Sequence, residues 1–172
     1  MIKNKISILV IDDENDICEM VSEILKDEGY KTKIANNFDE AVHIIQNENI
    51  NLILTDIWMN NNTKAGLEVL SWSKEYNSSI PVIMMSGHGN IETAMMAAKT
   101  GAFDFIEKPF KSERLLLLVE KALNDRNLKI KISKFEAKEN ERMEFIGKSF
   151  AIRNIKSQLN KLSISNSRVL IT

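Results

Sequence analysis

Cysteine occurs once, at Cys18, in a chain of 172 residues. One thiol excludes an internal disulfide framework and a zinc site built on several thiolates, and it suits a reducing cytoplasm, the expected location. No apolar run approaches the roughly 18 residues of a membrane span, so no membrane partner is expected. Charge of one sign is lacking too: 23 Lys+Arg stand against 24 Asp+Glu, a net charge of -1, and no global basic field is available to hold nucleic acid by counterion release. No GxxxxGK[ST] occurs, so ATP hydrolysis cannot be assigned to this span. The N-terminus, MIKNKISILVIDDEN, runs from a short apolar stretch into three acids without a small-residue cleavage site, and reads as a first strand rather than a signal peptide. What is present is the ordinary balance of a folded protein, with 44% hydrophobic and 27% charged residues. The length suits one α/β domain of about 100–150 residues plus a fragment.

Periodicity divides the first 123 residues into five repeats of a short apolar run followed by an amphipathic stretch. The expected strands are Ile6–Ile11, Tyr30–Ala35, Leu52–Thr55, Pro81–Met85 and Phe103–Ile106. The first, third and fourth are nearly all apolar, as strands buried on both faces are, whereas the more polar second reads as an edge. Ile17, Met20, Val21, Ile24 and Leu25 draw one stripe along a first helix closed by Gly29. Ala41, Ile44 and Ile45 mark a second helix, Leu67 and Leu70 a third, and Ile91, Ala94, Met95 and Ala98 a fourth. A fifth carries Leu115, Leu118, Val119 and Ala122. Alternating strands and helices imply right-handed crossovers and a parallel sheet covered on both sides, a doubly wound α/β fold.

Past Leu123 the composition turns to NDRNLKIKISKFEAKENERMEF, rich in charge and free of Gly and Pro, which suits an exposed helical linker over 124–144 that prolongs the fifth helix. Leu116, Val119, Leu123 and Ile130 fit the spacing of a coiled-coil seam, but LKIKI alternates with period 2, and a solvated helix fits as well. From Phe145 a new apolar pattern begins: Ile152, Ile155, Leu159 and Leu162 sit at helical spacing and RVLIT reads as a strand. A strand without a successor cannot make a sheet, so residues 145–172 read as the front edge of a second domain.

In open parallel sheets ligands bind beyond the carboxyl ends of the strands. Here those ends carry Asp12, Asp13 and Glu14, then Asp56, then Ser86-Gly87, then Lys108-Pro109. If the first and third strands are neighbours, their carboxylates converge and repel unless a cation intervenes. Hard oxygen donors with open positions point to Mg²⁺. An Asp beside Mg²⁺, a hydroxyl and a Lys is an arrangement for phosphoryl transfer, with the Asp as nucleophile.

IDDE after the first strand, TDIWM after the third, MMSGHG after the fourth and KPF after the fifth together resemble a response-regulator receiver domain over residues 4 to about 123. The resemblance implies a flavodoxin-like sheet of order 2-1-3-4-5. It implies that Asp56 accepts a phosphoryl group from a sensor histidine kinase, and that Asp12, Asp13 and Asp56 hold Mg²⁺ with the backbone carbonyl of Trp58. Ser86 and Lys108 would contact the phosphoryl oxygens, Phe105 would be the rotating aromatic of the output face, and the peptide before Pro109 would be cis. SGHGNIETA, GAFDFIEKPF and DIW resemble the nitrogen-regulation branch, which is NtrC/NtrX-like. The tail FIGKSFAIRNIK…RVLIT resembles the entry into the AAA+ domain of sigma-54-dependent activators. Partnership with DNA, with sigma-54 RNA polymerase and with ATP would then run through domains beyond this chain. The chain itself would be a switch rather than an enzyme, and it would dimerise through a face including Leu116, Val119 and Leu123. The loop NNNTKA departs from the family's usual pattern, lacking its Pro and having Ala65 where an Asp is frequent.

Each site residue also has a plainer role. Asp12, Asp13 and Asp56 could be helix caps, Ser86 a turn residue, Lys108 a surface lysine and Phe105 an ordinary core aromatic. Their joint order along the chain favours the functional assignment. His88 reads as a loop residue, His43 and Cys18 as structural or surface residues, Trp58 and Trp72 as packing near the third helix, and Met84, Met85, Met95 and Met96 as core filling. Two rivals remain at this point. A haloacid-dehalogenase-like phosphatase also uses a strand-end Asp with Mg²⁺ but wants an acid where Trp58 stands. A flavodoxin-like cofactor binder wants Gly and backbone amides where the first turn carries acids.

Overall fold

The structure is a computed structural model and describes residues 3–59, 62, 64–87, 91–142 and 149–162. Five parallel strands alternate with helices in the order β1 (Ser7–Ile11), α1 (Asn15–Asp27), β2 (Lys31–Ala35), α2 (Phe38–Asn47), β3 (Leu52–Asp56), α3 (Ala65–Tyr76), β4 (Val82–Ser86), α4 (Ile91–Thr100), β5 (Asp104–Glu107) and α5 (Ser112–Arg142). The sheet order is β2-β1-β3-β4-β5, with Ile8 opposite Leu52, Asp56 opposite Met85 and Ser86 opposite Glu107. The doubly wound α/β fold is the expected one, with each strand within a residue or so of its expected limits.

Alternation along the strands sorts side chains into two cores, because successive residues point to opposite faces. Ile8, Val10, Leu52, Leu54, Ile83, Met85 and Ile106 face α1 and α5, where Val21, Leu25, Leu115 and Val119 meet them. Leu9, Ile11, Ile53, Val82 and Met84 face the other way, onto Ala41 and Ile45 of α2, Leu70 of α3 and Ala97 of α4. Both faces of β1, β3 and β4 are therefore covered, and their carboxyl ends lie where the apolar cover stops.

Helix stops follow local chemistry. After α1, Tyr30 N–H donates to Leu25 O at 3.0 Å and Gly29 N–H to Lys26 O at 2.8 Å. That pair of bonds needs a left-handed residue, and Gly29 supplies it with φ +86°. Gly101 closes α4 the same way, at φ +96°.

Three expectations about helix faces need correction. Met20 is 47% exposed, because Cys18, Val21 and Leu25 define the buried stripe of α1 and Met20 lies well round the helix from it at 100° per residue. Met95 and Met96 are 54% and 46% exposed, and among the described α4 side chains Ala97 lies in the core; of the four methionines named above, Met84 and Met85 fill the interior. Val119 and Leu123, assigned above to a contact between copies, are 0% and 4% exposed and pack under α5 against α1 and the sheet. Leu116 is partly buried against the same core, and the α5 leucine that faces outward there is Leu117, at 53%.

α5 continues without a break to Arg142, which carries it through most of the expected linker. The chain divides into two compact units at Ile130. The second contains the rest of α5 and α6 (Phe150–Leu162). The expected strand RVLIT lies outside the described residues, as does His88.

Candidate functional site

Asp12 follows the last residue of β1, Asp56 and Ser86 end β3 and β4, and Lys108 follows β5. Asp12, Asp56 and Lys108 continue the alternation of Ile8 and Val10, Leu52 and Leu54, and Ile106, so the same period that builds the α1/α5 core carries all three to one side of the sheet. The Lys108 ammonium sits between the two carboxylates, 2.6 Å from Asp12 Oδ2 and 3.0 Å from Asp56 Oδ1. Asp12 is fully buried and Asp56 is 6% exposed, whereas Asp13 is exposed. Carboxylate oxygens of Asp12, Asp13 and Asp56 come within 4.8 Å of one another.

Backbone bonds hold these groups in place. Asp12 N–H donates to Ala35 O at 3.2 Å, and its carbonyl accepts Asn36 Nδ2 at 3.1 Å. Glu14 N–H donates to Asp12 Oδ1 at 3.1 Å. Trp58 N–H donates to Asp56 Oδ2 at 3.2 Å, and Lys108 N–H to Ser86 O at 2.7 Å. Ser86 is 3% exposed. Phe105 pairs in register with Met84 and is half-buried against the second core. The Lys108–Pro109 peptide is cis. Trp58 is 40% exposed beside the carboxylates, while Trp72 lies on α3 itself and stacks on Tyr76 at 5.2 Å between ring centroids.

Burial pushes the Asp56 carboxyl above the usual carboxylate range; the Lys108 ammonium draws it back and Asp12 adds to the rise. At Lys108 burial works against the charge, but the hydrogen bond to Asp12 and the Asp56 carboxylate outweigh it and raise the ammonium. Burial, with the neighbouring Asp12, pushes the Cys18 thiol up to about 11, which keeps it protonated and unreactive near neutral pH.

Asp56 Oδ1 is buried and accepts no hydrogen bond, although Lys108 lies at ion-pair distance. A buried, under-satisfied carboxylate oxygen among two further carboxylates, with one ammonium already drawn between them, is a setting that favours a cation. The donors are all hard oxygens, and the exposure of Asp13 keeps one side open to solvent, so the residues fit Mg²⁺.

Three contributors were not singled out from the sequence. Asn36 bonds both Asp12 O and Asn15 Oδ1, the latter at 2.6 Å. Asn62 pairs with Met59 through two backbone bonds, and its Oδ1 accepts Lys64 N–H at 2.9 Å, so it shapes the entry to α3. Gly66 packs against the backbone of Asp56. Asparagine and glycine before an apolar helix are generic turn signals, and nothing local marks them as parts of this site.

Comparisons with known proteins agree with this geometry. The family model of the response regulator receiver domain matches residues 8–120. The nitrogen assimilation regulatory protein NtrX of Azorhizobium caulinodans is 40% identical over 164 residues, covering 95% of this chain and 36% of that protein. The crystal structure of NtrX from Brucella abortus in complex with ADP is 41% identical with a TM-score of 0.72, over 94% of this chain and 36% of its own. The solution structure of the beryllofluoride-activated NtrC4 receiver domain dimer is 37% identical with a TM-score of 0.65, over 70% of this chain and 98% of its own. The present chain thus spans about a third of the length of the curated relatives it matches. These matches remove the haloacid-dehalogenase alternative, which Trp58 already disfavoured. With its acidic pocket at the carboxyl ends of a 2-1-3-4-5 sheet, the chain belongs to the response regulator receiver family, as a two-component response regulator related to NtrX.

Proposed function

We propose that Asp56 is the phosphoacceptor of this receiver, taking its phosphoryl group from the phosphohistidine of a sensor histidine kinase. The under-satisfied Asp56 Oδ1, buried yet 3.0 Å from the Lys108 ammonium, is the observation that carries the reading. A carboxylate oxygen of Asp56 forms the new P–O bond as the P–N bond to the kinase imidazole breaks, and the imidazole leaves with the bonding pair. Lys108, already poised between Asp12 and Asp56, neutralises a phosphoryl oxygen, and Ser86 at the end of β4 donates its hydroxyl to another. Receiver domains bind Mg²⁺ at their acidic pocket; here Asp12, Asp13, Asp56 and the Trp58 carbonyl would hold it, and it would supply charge neutralisation on the transferring group. Carboxylates prepared for a cation and a nucleophile with a lysine beside it support a switch whose chemistry is its own modification.

Output follows from the same pocket. Drawing Ser86 toward the phosphoryl group would leave room for Phe105, which is half-buried beside the α4 core, and so alter the face of α4, β5 and α5. The dimeric NtrC4 receiver supports self-association, and the contact is assigned here to this face, with outward residues such as Leu117 in place of the buried Val119 and Leu123. Residues 1–123 then form the receiver, 124–144 the helical linker and 145–172 the entry to an AAA+ domain, with DNA, sigma-54 polymerase and ATP engaged through domains beyond this chain. Among the described residues no helix is long and apolar enough to cross a membrane. Acetyl phosphate with Mg²⁺ should label the chain once by intact mass, and a label that persists in Asp56→Asn would overturn the assignment.

A further inference from the structure

The amino ends of β4 and β5, at the opposite end of the sheet from Asp56, border a cavity of about 290 Å³. Three cations line it: Lys74 from the last turns of α3, and Arg126 and Lys129 from α5. The lining contains one acid, Asp125, already engaged by Lys129 at 2.8 Å. Two positive charges are therefore left in excess at one spot of a chain whose net charge is -1.

The way these cations are held is unusual for a solvated surface. Arg126 Nε is shut off from solvent and makes no hydrogen bond. Leaving a buried guanidinium N–H without an acceptor is costly, and guanidinium planes are suited to bidentate oxyanions. Lys74 Nζ gives one N–H to Ile80 O at 2.7 Å, which fixes the ammonium at the cavity wall. Burial lowers the Lys74 pKa and Lys129 adds repulsion, partly offset by Asp125; burial also lowers Arg126. Ser78 adds a hydroxyl to the lining, while Ser79 spends its own on Asn77 Oδ1 at 2.7 Å. Pro81 and Phe103 give an apolar wall.

We propose that this cavity binds a small phosphate-type dianion, either inorganic phosphate or a small organic phosphate whose carbon portion rests on Pro81 and Phe103. Two excess positive charges match a dianion, and the Arg126 guanidinium brings one of them to the cavity wall. The volume lies at the lower end of small-molecule sites, about 300–1,000 Å³, which excludes large nucleotides and admits a phosphate with a few carbons. The bound anion bridges the end of α3 to α5, so its concentration sets the stability of that contact by mass action.

Thermal unfolding and calorimetric titration of the full chain, in EDTA so that no metal recruits anions to the acidic pocket, test this with inorganic phosphate and glycerol phosphate against chloride at equal ionic strength. Saturable binding at one site and a raised midpoint are expected. Arg126→Gln and Lys129→Gln should each weaken binding about tenfold or more, while Lys31→Gln, on the exposed edge strand, leaves it unchanged. Without anion, Arg126→Gln should unfold at or above the parent's midpoint, which a merely structural arginine would not allow. Tighter binding of glycerol phosphate assigns the organic ligand, and equal affinity the inorganic ion. A midpoint shift no larger than that of chloride, or one equally large in Arg126→Gln, overturns the site. If that variant fails to fold, the exposed Lys129→Gln decides by the same comparison.

Discussion

Gly66, at the start of α3, is pressed against the backbone of Asp56. A Cβ at position 66 would stand 2.0 Å from the Asp56 carbonyl oxygen and 2.8 Å from Ile57 Cα, while Gly66 N–H donates to Ile57 O at 3.0 Å. Backbone, not a flexible side chain, occupies the space, so any side chain here must push α3 away from the residue that carries the chemistry. Gly66→Ala should cost about 2–4 kcal/mol in urea unfolding and slow acetyl phosphate labelling, since displacement of the Asp56 backbone also disturbs its ion pair with Lys108. Parent-like stability and labelling together would show that the α3 entry can yield without moving the site.

Asp56 itself should be a net burden on the metal-free fold. Its folded pKa lies above the ordinary value of 3.8, with burial the main cause. A raised carboxyl contributes stability below its unfolded value, and that stability is lost as pH rises through the folded value. Asp56→Asn is therefore expected to be more stable than the parent at pH 7 in EDTA, with the gap closing as pH falls through the folded pKa of Asp56. Mg²⁺ should raise the parent's melting midpoint more than the variant's. A variant less stable than the parent at pH 7 would mean that the Lys108 ion pair outweighs burial.

Lys108 pairs with two buried carboxylates at once, at 2.6 and 3.0 Å. Lys108→Met should leave Asp12 with no ammonium beside it and cost about 3–5 kcal/mol in metal-free denaturant unfolding, part of it recovered by Mg²⁺. Phosphodonor labelling should fall more than stability accounts for, even at temperatures where the variant is fully folded. Full labelling of the folded variant would remove Lys108 from the transfer step.

On α5, adjacent in function but not in burial, Val119 and Leu117 should separate cleanly. Val119→Ala should lose on the order of 2 kcal/mol by opening a cavity against α1, whereas Leu117→Ala should stay within about 0.5 kcal/mol. Light scattering with a beryllofluoride mimic should show a mass increase in the parent that Leu117→Glu abolishes. A mass increase that survives Leu117→Glu would place the contact elsewhere.

Local information carried much of this molecule. The β–α alternation, the edge character of β2, the stop at Gly29 and the acids and lysine at the strand ends are all legible because burial on two sheet faces imposes periods of 2 and 3.6 on neighbouring residues. Four motifs in order were enough to place the family. Tertiary structure decided what periodicity leaves free. Met20 and Met95 face outward, and Val119, which belongs to the core stripe of α5, is not free for a contact between copies, because an apolar residue at helical spacing can face a core, solvent or a partner and only the packed neighbours distinguish them. Lys108 meets Asp12 across 96 positions of chain, which the sheet order brings about and no local pattern encodes. The cavity at Lys74, Arg126 and Lys129 is of the same kind: three ordinary lysine and arginine positions until α3 and α5 close around them, when burial and mutual repulsion turn them into a site for an anion.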